Sequence, residues 1–223
     1  MLAKNFRILA ALPVFALLVQ GCTNTEGNFN DFVAREKALQ EGGAGGAGGA
    51  GGFTPCDPPK PGDIDAQYLF ALSAKIGTLQ PPVLFLADVK TVDFQGATGL
   101  KLTLHSLDAS DRKTEVGTPL DIPEIAIGSD GVLASTALPE FTITGEANSI
   151  QLGQDIVATG VTLVGQMCGV QDFYCGTVTG SVTQPVKLIL DGSPYTFESV
   201  PDPSKLPLDP ISVNCAKDPA PPL

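Results

Sequence analysis

The chain has 223 residues, 43% of them apolar, 17% charged and 6% aromatic, with 25 Gly, 19 Pro, no Trp and one His. This length suits one domain of ordinary size, and the apolar fraction is too high for a wholly disordered chain. Thirteen basic against 24 acidic residues give a net charge of −11, and a surface that acidic repels phosphate backbones, so nucleic acid is not an expected partner.

Residues 1–21 have the form of a signal peptide. Lys4 and Arg7 supply a positive start, and the apolar stretch Ile8 to Val19, interrupted by Pro13, is 12 residues long. A spanning helix needs about 20 apolar residues. The stretch ends in Leu18-Val19-Gln20-Gly21-Cys22. This resembles the lipobox of bacterial lipoproteins, in which the Cys after a small residue is acylated and becomes the new N-terminus. The resemblance covers about the first tenth of the chain. It implies that acylated Cys22 is the partner of a membrane, and that Thr23, where inner-membrane lipoproteins often carry Asp, favours the outer membrane, with the domain periplasmic or surface-facing. Several acyl chains hold far more firmly than one. Loss of residues 1–21 removes two positive charges and leaves a mature chain near −13.

Residues 22–52 then form a tether. Asp31 to Gln40 is compatible with a short helix capped by Asn30 or Asp31, marginal at that length. The run GGAGGAGGAGG over 42–52 has nothing to bury and behaves as a coil spanning roughly 20 Å, enough to stand a domain off a surface.

From Phe53 the pattern turns to period two. Leu100, Leu102 and Leu104 alternate with Lys101, Thr103 and His105. Tyr68, Phe70, Leu72, Ala74 and Ile76 make a similar row, as do Val161, Leu163, Gly165 and Met167, then Val178, Gly180 and Val182, then Val186, Leu188 and Leu190. Alternation of this kind marks half-buried antiparallel strands. Asp130-Gly131 and Asp191-Gly192 read as hairpin turns. The expected fold of residues 53–200 is therefore all-β, an antiparallel β-sandwich or up-and-down β-barrel of about 8–10 strands. The Pro-rich segment 201–223 is expected to run extended over the surface, tied to the domain.

Apart from Cys22 there are four cysteines, Cys56, Cys168, Cys175 and Cys215. In an exported chain they read as two disulfides, and no metal site is expected because there is no C-x₂-C pair and the one His is distant in sequence. Cys168 and Cys175 flank six residues between two strand-like runs, and Cys56 and Cys215 stand at the two ends of the domain. The expected pairs are accordingly Cys168–Cys175 and Cys56–Cys215.

No catalytic residue and no cofactor is expected. His105 sits on a polar strand face, without a G-x-S-x-G motif or any mark of a nucleophile at Ser106 or Ser110. Ser110-Asp111-Arg112-Lys113 matches S-x-x-K by letter, without the S-D-N and K-T-G that accompany it in penicillin-binding proteins. The acidic pairs Asp63/Asp65, Asp108/Asp111, Asp121/Glu124 and Asp202/Asp209 could serve a hydrolase only across a cleft. The Asp63–Asp65 and Asp108–Asp111 loops could hold calcium, though solvated acids are the simpler reading. The leading expectation is thus a lipid-anchored, non-catalytic domain with a binding or structural role. The alternatives are a lipocalin-like carrier of a small apolar ligand, with room left inside by Gly165, Gly176 and Gly180, and a carboxylate-dependent hydrolase. An apolar cavity would favour the carrier, a filled sandwich the binding module and an acidic cleft the enzyme.

Overall fold

The computed structural model describes residues 53–221; Cys22, the signal sequence and the tether lie outside the described residues. Strands are the main elements, and the helical ones among these residues are two 3-10 turns, Gly145–Ala147 and Pro203–Lys205. The strands are β1 (Ala66–Leu72), β2 (Lys75–Ile76), β3 (Thr78–Leu79), β4 (Val83–Phe94), β5 (Ala97–Ser106), β6 (Leu120–Ile127), β7 (Leu133–Ala134), β8 (Phe141–Ile143), β9 (Ile156–Gly165), β10 (Phe173–Gln184), β11 (Leu188–Ile189) and β12 (Ser193–Ser199). Ten of them form one antiparallel sheet in the order β7-β6-β5-β4-β1-β12-β10-β9-β8, with β11 also on β10. The sheet curls into a half-barrel, the barrel-like member of the two expected architectures.

Two meanders meet at its centre, where β1 pairs with β4 on one side and with β12 on the other. Phe70 stands opposite both Phe85 and Phe197, and aromatic pairs in such registers contribute beyond their buried area. The free edges of the curl are drawn together by residues 131–138. Val132 bridges Gln166, Met167 N–H donates to Gly131 O at 2.8 Å, and Leu138 exchanges hydrogen bonds with Val161 and Gly160 at 2.8 and 3.2 Å.

Leu100, Leu102 and Leu104 point inward as their alternation predicts, and Val161, Leu163, Gly165 and Met167 do the same. Several sequence expectations change. In β1, Leu69 and Ala71 are as buried as Tyr68 and Phe70, because Leu206 and Ile211 of the C-terminal segment cover the outer face of β1 and β4 in a second apolar cluster. Asp191-Gly192 does not turn a hairpin. β11 and β12 both pair with β10, with their registers offset by one residue, so the pair forms a bulge in one interrupted strand. Asp130-Gly131 does lie in the β6–β7 connection, with Gly131 at φ +80. A Cβ at Gly131 would meet Cys56 Sγ at 2.6 Å, so this position needs glycine for two reasons.

All four cysteines are paired, but the pairing differs from the expected one. The bonds are Cys56–Cys168 and Cys175–Cys215. Strand register explains the exchange. Gly176 pairs with Gly165, so Cys175 falls out of step with Cys168 across the β9–β10 ladder. Cys175 instead stands opposite Thr196, whose hydroxyl donates to Ser212 O at 2.8 Å, and this holds the C-terminal segment beside it. Cys56 N–H donates to Asp130 O, and Gly169 N–H to Asp57 O, which brings residue 56 to Cys168. The bonds close separations of 112 and 40 residues, worth about 5 and about 4 kcal/mol in the chain-entropy model. Non-reducing peptide mapping is expected to recover peptides joining Cys56 to Cys168 and Cys175 to Cys215, and loss of the first bond should cost more stability. A Cys168–Cys175 peptide would contradict this register.

Candidate functional site

The inner face of the half-barrel is divided. Tyr68, Phe70, Phe85, Tyr174, Tyr195 and Phe197 form one aromatic cluster, with Phe70 and Phe197 centroids 4.7 Å apart. Beside Tyr68, Tyr174 and Phe197 of this cluster, Val89, Leu100, Leu102 and Met167 pack with no space for a water between them. On the other side lies an apolar cavity of about 280 Å³, lined by inward side chains of several strands, among them Leu102 and Leu104 of β5, Ile122 of β6, Ala158 and Leu163 of β9, Val178 and Val182 of β10 and Leu188 of β11. That volume lies near the lower end of the roughly 300–1,000 Å³ of small-molecule sites. An apolar cavity far smaller than this stays dry and takes up apolar guests.

The mouth is defined by residues that both line the cavity and reach solvent. Ile76 is 45% exposed, Ile150 39% and Val186 65%. Polar side chains line the cavity only as Asn148, Gln151 and Lys187. Asn148 is buried and fully engaged: its amide donates to Gln154 O at 2.8 Å, and its carbonyl accepts from Ile150 N–H and Gln151 N–H. It fixes the shape of the rim loop rather than offering itself to a guest.

The glycines expected to make room do not make it here. The Tyr195 hydroxyl fills the space above Gly165 and Gly176, where a Cβ on Gly176 would come within 2.6 Å of it. Gly180, at φ +119, serves the bulge, and Leu190 N–H donates to its carbonyl at 2.8 Å. The empty space is bounded instead by apolar side chains of other inward positions, such as Leu104, Ile122, Ala158 and Val182.

His105 points to the outer face, as expected, but is half-buried rather than solvated. Its Nε2 lies 3.3 Å from Asp88 Oδ2 and its Nδ1 2.9 Å from Glu115 Oε2; the second contact lacks the alignment of a hydrogen bond. Gln67 donates to the other Asp88 oxygen at 2.9 Å. Its side-chain partners are thus two acids, and the Ser110 hydroxyl donates to Asp108 instead. The acidic pairs serve loops and strands. Asp63 accepts from Lys60 N–H, Asp65 from Thr91 N–H, Asp121 from the Thr103 hydroxyl and Asp202 from Ser204 N–H. Hydrogen bonds from Thr114 and Lys113 hold Asp111 down at about 2, and those from Ser110 lower Asp108. Among the described residues no group of three or more His, Cys, Asp or Glu side chains could hold a metal ion, and no helix is long and apolar enough to cross a membrane.

Burial raises all three tyrosines, Tyr68 to about 12. Tyr68 and Tyr174 also donate their hydroxyls to the Gln171 and Gly169 carbonyls. Because the folded state keeps these phenols neutral above their unfolded value of about 10, their contribution is complete below that value and is lost as pH rises through the raised folded values, about 12 for Tyr68. Tyrosinate absorbance and loss of circular dichroism should therefore rise together above pH 10; ionisation of the tyrosines near pH 10 with the sheet intact would contradict their burial.

No protein-family model matches the chain, and comparison with curated proteins and with solved structures finds nothing similar. What the domain can do therefore rests on its own geometry. Its two disulfides point to an oxidising, extracytoplasmic compartment.

Proposed function

We propose that the domain binds a small apolar ligand inside the half-barrel and acts as a carrier or reservoir in the cell envelope. The observation that supports this over a purely structural role is the cavity of about 280 Å³ with an almost wholly apolar wall and an open mouth. A core that served stability alone would close such a space, since each unfilled cubic ångström costs about 24 cal/mol. None of the acids offered for hydrolysis lines this wall, and six of the eight are engaged with backbone and hydroxyl groups, which favours the carrier over the carboxylate-dependent enzyme.

Binding of a neutral naphthylamine fluorophore tests the reading. Fluorescence should rise with saturable, one-to-one stoichiometry, and Ala158→Phe, which places a ring in the cavity from a buried inward position, should weaken it by at least about tenfold, the equivalent of 1.4 kcal/mol. Equal binding by Ala158→Phe with the disulfides and thermal transition intact would put the ligand elsewhere.

The same reading includes the anchor. Acylation of Cys22 and the 22–52 tether would hold the carrier at the outer membrane, within reach of the bilayer as a source of apolar molecules. Cys22→Ser is expected to block incorporation of labelled fatty acid and to move the protein from the membrane fraction to the soluble one. A wild-type protein that takes up no label would remove the anchor and leave the cavity untouched.

A further inference from the structure

The lining of the cavity carries one formal charge. Lys187 stands at the mouth, in the turn between β10 and β11, and no Asp or Glu lines the space. Among the described residues the Lys187 ammonium has no carboxylate within ion-pair distance. The wall is therefore apolar throughout its depth and cationic at one point of its rim.

We propose that the ligand is a single-chain anionic amphiphile whose tail fills the cavity and whose headgroup pairs with Lys187. The proposal rests on the apolar-ligand reading above and adds the polarity and orientation of the guest. A net charge of −11 works against an anion at long range, but screening confines that field to about 8–10 Å at physiological salt. At the mouth the nearest formal charge on the lining belongs to Lys187. Ile76, Ile150 and Val186 surround that end with apolar surface, so the first methylenes below a headgroup remain out of water.

Three ten-carbon probes separate tail from head: decanoate, decanol and decyltrimethylammonium, each titrated at physiological ionic strength, where the net charge is screened, and neutral pH into the otherwise full-length Cys22→Ser chain. Decanoate is expected to bind roughly two- to five-fold more tightly than decanol, the range of an exposed ion pair, and decyltrimethylammonium least tightly. Lys187→Met should bring decanoate to the level of decanol, leaving decanol unchanged. Lys187→Glu should reverse the order of the two ions. An unchanged decanoate-to-decanol ratio in Lys187→Met, or equal binding of both ions by the starting protein, would overturn the headgroup assignment while the cavity reading stands. If none of the three binds, the cavity reading fails and this proposal with it.

Discussion

A sheet that curls back on itself must satisfy the backbone groups of its two edges, because an unpaired edge both loses hydrogen bonds and invites other chains. In this domain residues 131–138 meet that requirement. They leave β6 through the Asp130-Gly131 connection, bridge from Val132 to Gln166 just beyond the end of β9, and continue alongside β9 through Leu138. The Cys56–Cys168 bond stands at the start of this seam, where Gly131 permits the close approach of Cys56 Sγ. The enclosed space depends on that seam. Were it to open, Leu138 and Val161 would leave the wall, and an aliphatic surface would face water.

The outer face obeys a different constraint. β1 and β4 present Leu69, Ala71, Leu84 and Leu86 away from the interior, and Leu206 and Ile211 bury them from outside. The prolines that keep residues 201–221 out of the ladder leave side chains and a disulfide as the means of attachment. Cys175–Cys215 and the Thr196–Ser212 hydrogen bond supply it. The central strands are thus fixed on both sides, while the wall of the cavity farther around the curl, on β9, β10 and β11, is backed by solvent.

Much of this is legible in the amino-acid sequence. The alternation of Leu100, Leu102 and Leu104 with Lys101, Thr103 and His105 needs only an inside and an outside, and β5 has both. β1 obscures its own period because Leu69 and Ala71 are covered by a segment far along the chain, which no local pattern encodes. The disulfide exchange has the same origin: proximity in sequence favours Cys168–Cys175, whereas register across β9, β10 and β12 decides which sulfurs meet. The β4–β5 turn carries a weak signal because Gln95, at φ +55, stands beside Gly96 where Asn or Asp is customary. The cavity was only half legible. Inward rows announced an apolar interior, but Tyr195 fills the space over Gly165 and Gly176, and the open volume depends on how far facing rows stand apart. Lys187 carries no signal at all until the β10–β11 turn places it at a mouth.

The central claim, that the half-barrel interior is a binding site rather than an incompletely filled core, is most directly tested by methyl-resolved NMR of the Cys22→Ser chain titrated with decanol. The account predicts saturable shifts at Leu104, Ile122, Ala158 and Leu188, with nuclear Overhauser contacts from the decanol chain to those methyls and none at Leu69 or Leu84 on the covered outer face. Shifts confined to exposed outer residues such as Val164 and Val170, or no shifts at saturating decanol, would contradict it.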